Sequence, residues 1–251
     1  SSTTGKYVMA SAATHLAPVS LELGGKGANI VFEDADLDNA VYWAVEAIFR
    51  NAGQICLAGS RLFVHSSLYE SFMERFVAAA EALTIGDPFD PATKFSSLAS
   101  KRHFDKVGSY VESARELGGT IRTGGVAEDG SWVVRPTIID GLALDAAPYC
   151  EEIFGPVCVV NSFDTEEEVV HLANDTRYGL NAMLFTENLS RAHRVASKLR
   201  AGTVWVNCFF IRDLRTPFGG VGDSGVGREG GNFSREFFTE PKAVVMQIDR
   251  G

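Results

Sequence analysis

A regular alternation of strand-like and helix-like segments is the strongest constraint on how this 251-residue chain can fold. Short β-prone runs occupy residues 19–23, 28–32, 61–65, 132–139, 156–163, 182–185 and 202–206. Between them lie stretches whose apolar residues recur three to four apart. In residues 36–49 these are Leu37, Val41, Ala44, Val45 and Ile48, with Asp36 able to cap the helix and Gly53 just past its end. In residues 67–83 they are Leu68, Phe72, Phe76 and Ala80. Residues 7–15, 101–117 (stopped by Gly118 and Gly119), 165–174 and 190–199 are the other predicted helices. Strands separated by helices pair through crossovers, so the pattern predicts an α/β fold with a largely parallel sheet and flanking helices. After Asn207 the texture changes. Residues 216–231 are glycine-rich and predicted to be loop, and the apolar stretch 243–248 is predicted to be a strand that pairs in this chain or a neighbouring one.

Composition removes several function classes. Lys and Arg number 23 against 32 Asp and Glu, a net charge of −9, which repels phosphate backbones and argues against nucleic acid as a partner. No apolar run approaches the ~20 residues needed to cross a bilayer. Cys56, Cys150, Cys158 and Cys208 are too few and too scattered for a disulfide scaffold, so a reducing, cytoplasmic setting is expected. His15, His65, His103, His171 and His193 form no i, i+4 pair and no cluster with cysteine, and no metal site is expected. Residues 220–225 read Gly-Val-Gly-Asp-Ser-Gly, but no strand feeds them and no helix follows, so they are not taken as a dinucleotide fingerprint.

Four segments carry candidate chemistry, each with a plainer alternative. In Asn51-Ala52-Gly53-Gln54-Ile55-Cys56, a thiol just past a helix-ending glycine faces a loop and is the best nucleophile candidate; the alternative is a small buried hydrophobe. A reactive thiol there is expected to ionise below the ordinary range. Cys158 sits within an apolar strand, and Cys150 lies beside acids that raise its pKa. In Leu21-Glu22-Leu23-Gly24-Gly25-Lys26, a carboxylate between two leucines reads as a general base or as an edge-strand surface residue. Glu151-Glu152-Ile153-Phe154-Gly155-Pro156 offers a carboxylate for a ribose diol beside an aromatic ring, or a solvated acidic turn. In Arg212-Asp213-Leu214-Arg215-Thr216-Pro217-Phe218, the guanidinium groups suit a substrate carboxylate, or a local pair with Asp213.

Taken together and in this order, the segments resemble the aldehyde dehydrogenase superfamily over nearly the whole chain. Tyr178-Gly179-Leu180 and Gly202-Thr203-Val204-Trp205-Val206-Asn207 add to the resemblance. It implies Cys56 as the nucleophile and Glu22 as the general base. Ser1, Leu23, Gly24, Glu152 and Phe154 are implied on the cofactor, with Glu152 at the ribose and Phe154 beside the nicotinamide of NAD or NADP. Phe218 is implied to face the aldehyde. The implied reaction passes through a cysteine thiohemiacetal and thioester to a carboxylic acid, with the oxyanion held by the Cys56 N–H and an asparagine. Residues 212–218 resemble members acting on muconate-type semialdehydes, which assigns the substrate carboxylate to Arg212, with Arg215 second and Arg50 as a helper.

The Ser1-Ser2-Thr3-Thr4-Gly5 opening resembles the middle of the family's cofactor domain. The resemblance therefore implies a cofactor-domain remnant at residues 1–24, a catalytic domain at 25–223, a return segment at 224–240 and an oligomerisation strand at 241–251. It also implies a homodimer or homotetramer, and a chain that lacks full activity by itself. A non-catalytic assembly domain and a residual thiol esterase are the competing expectations; a phosphate-binding module on loop 219–231 is the weakest.

Overall fold

The structure is a computed structural model that describes residues 1–127 and 130–248. In chain order its principal elements are α1 (Ser2–Ala13), β1 (Leu21–Glu22), β2 (Ala28–Val31), α2 (Leu37–Phe49), β3 (Arg61–His65), α3 (Tyr69–Glu81), α4 (Lys101–Glu116), β4 (Thr120–Val126), β5 (Val134–Asp140), α5 (Ala147–Cys150), β6 (Val157–Phe163), α6 (Glu166–Asn174), β7 (Asn181–Phe185), α7 (Leu189–Lys198), β8 (Thr203–Val206), β9 (Gly225–Val226) and α8 (Gly231–Phe238).

Seven strands form one sheet in the order β4-β5-β6-β3-β2-β7-β8. All its ladders are parallel except the antiparallel edge pair β4–β5. Strand β2, beside the central β3, is covered on both faces, and Ala28, Ile30 and Val31 are buried to within 3% of completely. Such strands read as continuous apolar runs because no face is left for water. Helix α2 starts where Asp36 caps it, its carboxylate accepting the Asn39 N–H at 3.1 Å. Its inner face reaches α3, where Phe49 stacks on Phe76 with centroids 5.9 Å apart.

Apart from the segment at 243–248, the sequence-predicted elements are present, with their ends moved by five residues at most. Four elements were unforeseen: β4, α5, β9 and α8, the last two arising within or at the end of the predicted loop 216–231. Residues 241–248, which include the predicted strand at 243–248, carry no secondary structure and pair with nothing in this chain among the described residues. Val244, Val245, Met246 and Ile248 are exposed there. The rest of the predicted oligomerisation strand, residues 249–251, lies outside the described residues. No helix among the described residues is long and apolar enough to cross a membrane.

Candidate active site

Glu22, which ends β1, and the loop residues Cys56 and Glu152 precede β2, β3 and β6 by six, five and five residues, on the side of their amino ends. Open α/β sheets ordinarily bind ligands at the carboxyl ends, so here the approach to the sheet is reversed. The spacer between the groups is Gly24-Gly25. The Gly25 N–H donates to Glu152 Oε1 at 3.0 Å. A Cβ on Gly24 would fall 2.0 Å from Glu152 Oε2, and one on Gly25 would fall 2.7 Å from the Cys56 carbonyl oxygen. Only bare backbone fits between the Glu152 carboxylate and the Cys56 peptide.

The cysteine loop is bent by three successive left-handed residues, Asn51 (φ 52°), Ala52 (φ 53°) and Gly53 (φ 68°). For the two non-glycine residues this costs about 1–2 kcal/mol each. Local bonds hold the bend: Gln54 N–H to the Asn51 carbonyl at 3.1 Å, and Asn51 Nδ2 to the Gln54 carbonyl at 3.1 Å. A Cβ on Gly53 would lie 2.2 Å from the Gly155 carbonyl oxygen, so the thiol loop is seated directly on the loop that carries Glu152 and Phe154. Cys56 is half-buried. Burial raises its thiol above the ordinary range, the Glu152 and Glu22 charges add to this, and its own backbone N–H and that of Leu57 oppose it. This direction runs against the expectation of a thiol that ionises below the ordinary range. Cys158 is buried and pushed up to about 12. Cys150 is also raised, by burial first rather than by its acidic neighbours.

Glu22 closes β1, whose partner is β9 through Leu21↔Val226 and Glu22↔Gly225. Its carboxyl is pushed up to about 7, by burial first and then by Glu229, while Arg228 and Arg212 pull it down. Glu229 lies 207 positions along the chain and was not foreseen. A Cβ on Gly219 would fall 2.8 Å from Glu22 Oε1, which places the 217–220 loop against this carboxyl.

On the cofactor side, the two glutamates of the acidic motif separate. Glu151 accepts the Tyr110 hydroxyl at 2.5 Å, whereas Glu152 turns to Gly25. Phe154 has φ 61° and leaves 37% of its surface exposed, its ring edge-on to His103 at 6.0 Å. Ser1 caps α1, its Oγ accepting the Thr4 N–H at 3.2 Å. Leu23 packs under that helix, where a Cβ on Gly5 would meet its Cδ1 at 2.7 Å.

At the rim, the Arg212 guanidinium carbon lies 4.8 Å from the Phe218 ring centroid and 5.7 Å from that of Phe210. Arg50 approaches the same Phe210 ring at 5.6 Å. Neither arginine has an acidic partner among the described residues. Arg215 is turned elsewhere, with Nε 2.9 Å from Asp213 Oδ1, so the structure spends it on the local pair. A groove of about 380 Å³ opens beside Trp205, Ile211, Arg212 and Phe218.

Beneath the site is a floor that sequence reasoning missed. Lys26 and Arg61 are buried to 2% and 1% exposure. Lys26 Nζ donates to the Pro148 carbonyl at 2.8 Å. Arg61 donates to the carbonyls of Lys26, Leu172 and Ala173 at 3.1, 2.9 and 2.8 Å. Burial, and then the Arg61 charge, bring Lys26 down to about 7.

Comparison with known proteins gives one answer. The family model for the aldehyde dehydrogenase family matches residues 1–244. The chain is 50% identical to the 2-hydroxymuconic semialdehyde dehydrogenase of Pseudomonas sp. (strain CF600) over 252 residues, covering 98% of this chain and 52% of that one. Against the human 2-aminomuconic semialdehyde dehydrogenase the identity is 43%, covering 97% and 52%. The NAD+ complex of an aldehyde dehydrogenase from Bacillus cereus superposes with a TM-score of 0.95 at 42% identity, covering 99% of this chain and 51% of that one. The chain thus spans about half the length of the curated relatives it matches. On the family match and these identities, the chain belongs to the aldehyde dehydrogenase family.

Proposed function

We propose that this chain carries the thiol half of an NAD-dependent dehydrogenase that oxidises a carboxylate-bearing semialdehyde to an acid. The observation that carries this reading is the approach of Glu152 and Cys56 across the Gly24-Gly25 spacer, with Glu22 acting on the Cys56 thiol by charge and Arg212, which pulls on Glu22 but forms no ion pair among the described residues, at the rim. Relatives named for muconic semialdehydes support the substrate class.

The residues present fit NAD. Glu152 accepts one N–H through Oε1, and its other carboxylate lone pairs suit a ribose diol. Gly24 presents bare backbone beside it, Phe154 presents an exposed ring, and Ser1 and Leu23 hold the start of α1, where a helix N-terminus favours phosphate. When bound, NAD supplies the hydride acceptor.

The chain's own groups do the rest. The neutral Cys56 thiol needs a base, and Glu22, held near 7, takes its proton at neutral pH. Sγ adds to the aldehyde carbon to give a thiohemiacetal, and the Cys56 N–H supports the oxyanion. After oxidation the acyl group remains on Sγ as a thioester. Once it has released the thiol proton to solvent, Glu22 withdraws a proton from water, which attacks the thioester carbon; the acid leaves, and the Cys56 thiolate takes that proton back from Glu22. Arg212 holds the substrate carboxylate and Phe218 lines the aldehyde path. Arg50 assists, and Arg215 is held back by Asp213.

Residues 25–223 form the catalytic unit in this reading, residues 224–240 return toward the cofactor side, and residues 1–24 belong with the cofactor domain. The uncovered side chains of Tyr7, Val8, Met9 and Leu16 on and just after α1 support that assignment. The exposed apolar residues of 241–248 support a homodimer or homotetramer joined there.

Cys56→Ser should cut NAD-dependent turnover by about 10³-fold or more. Glu22→Gln should cut it by about 10²-fold. A carboxylate base works once it has lost its proton, so the rate should rise with pH through about 7 and level off above it. That rise should vanish in Glu22→Gln, and a variant that keeps both the rate and the rise would remove Glu22 as the base.

A further inference from the structure

Two arginines from distant parts of the chain converge on a single aromatic ring. Arg50 ends α2 on the approach to the thiol loop, and Arg212 lies in the segment after β8. Both guanidinium groups approach the Phe210 ring, at 5.6 and 5.7 Å, a contact that the ring quadrupole favours. No acidic side chain among the described residues pairs with either one. Among the described residues, the other ring-contacting arginines that reach the surface have an acid: Arg177 pairs with Asp223, and Arg191 with Glu33 and Asp34.

Phe210 is itself held in an unusual state. Its φ is 59°, in the left-handed region that bulky side chains avoid, so its surroundings must fix it there. Three contacts do so. Trp205, 6% exposed, donates its indole N–H to the Ile211 carbonyl at 3.0 Å, immediately ahead of Arg212. The same indole packs edge-on against Phe209 at 5.5 Å, and Phe209 lies 5.7 Å from Phe210. Asn207 is clipped to Thr186 by two side-chain bonds of 3.0 Å, which anchors the start of the segment to the end of β7.

We infer that Phe210 is a specificity-determining positioning residue: its ring, locked in a left-handed turn, holds Arg50 and Arg212 together as a cationic clamp that selects carboxylate-bearing aldehydes. This rests on the substrate class proposed above. An anion relieves the repulsion between two like charges held by one ring, so the clamp discriminates by charge rather than by shape.

The test is NAD-dependent turnover by the full-length protein on an unsaturated semialdehyde acid and on its methyl ester, which matches it in shape but lacks the charge. Phe210→Leu should raise KM for the acid about tenfold or more while KM for the ester and both kcat values stay within about twofold. Phe210→Tyr, which keeps the ring face, should restore the acid KM to within about threefold of the parent. Equal KM rises for acid and ester in Phe210→Leu, or a Tyr variant as impaired as the Leu variant, would overturn the inference. If Phe210→Leu does not fold, Arg50→Ala decides: a several-fold fall in the acid-to-ester ratio of kcat/KM supports the clamp, and an unchanged ratio overturns it. Arg212→Ala separates this inference from the underlying reading. An acid-to-ester ratio unmoved by Arg212→Ala defeats the carboxylate substrate itself. A ratio that collapses in Arg212→Ala but not in the Phe210 and Arg50 variants defeats the clamp alone.

Discussion

The chain gathers cations in two places, and it treats them in opposite ways. On the floor of the site, Lys26 and Arg61 are sealed from water and bonded to four backbone carbonyls. At the rim, Arg50 and Arg212 are exposed, lie on aromatic faces and have no acid among the described residues. Carbonyls take one hydrogen bond from each Arg61 nitrogen and one from Lys26, so the floor cations tie α6, α5 and the start of β2 together, sealed by burial from a ligand. Ring faces attract a guanidinium without using its N–H donors, so the rim cations keep them free, as the proposed carboxylate clamp requires. Burial with carbonyl bonding makes a cation structural, and stacking without pairing leaves it free to recognise.

The sharpest way to break this comparison is Arg61→Leu. It strips donors from three carbonyls in the interior, with an expected loss of about 3–5 kcal/mol. The melting temperature should fall by roughly 10 °C for a chain of this size, and thermal unfolding measures it. A variant that melts with the parent would show the floor to be dispensable.

The second effect is smaller and depends on pH. Lys26 holds its proton only up to about 7 in the fold, against 10.5 ordinarily. Between those values the unfolded chain binds a proton that the folded chain has shed, so this group makes stability rise with pH from about 7 to 10.5. Lys26→Met should flatten that rise, seen as denaturation midpoints of the two proteins whose difference changes steadily from pH 7 to 10. Parallel curves would mean that Lys26 stays charged in the fold. The smallest effect belongs to Asp213→Ala at the rim. It frees Arg215 from an exposed pair, so the denaturation midpoint and the acid-to-ester preference should both stay where they are. A gain in acid preference would bring Arg215 into the clamp.

The sheet and most of the helices were legible because their signals are local. The Asp36 cap and the 3.6-residue spacing marked α2 to within a residue, and the apolar run marked β3 at its observed ends. What escaped was either weakly patterned or non-local. β4 carries Gly124 and Gly125 with positive φ and irregular pairing with β5, which blurs its alternation. α5 is four residues long with Pro148 in its first turn, and α8 starts within a glycine-rich stretch, where helix propensity is poor. In the candidate site, Cys56, Glu22 and Glu152 stood out by residue type and surroundings. The raised thiol, the influence of Glu229 on Glu22 and the shared ring under Arg50 and Arg212 all depend on tertiary approach, and no window of sequence displays that.

The Gly24-Gly25 spacer has one more consequence. Because no side chain fits between the Glu152 carboxylate and the Cys56 peptide, their separation is gauged by the thickness of a single peptide strand. Peptide thickness is the same in every protein and does not drift when neighbouring residues are exchanged. The reacting centre therefore carries its own ruler, whereas the rim is dimensioned by side chains that can be swapped. Under the proposed function, a change of aldehyde calls for rebuilding residues 210–218 and leaving residues 22–26 untouched.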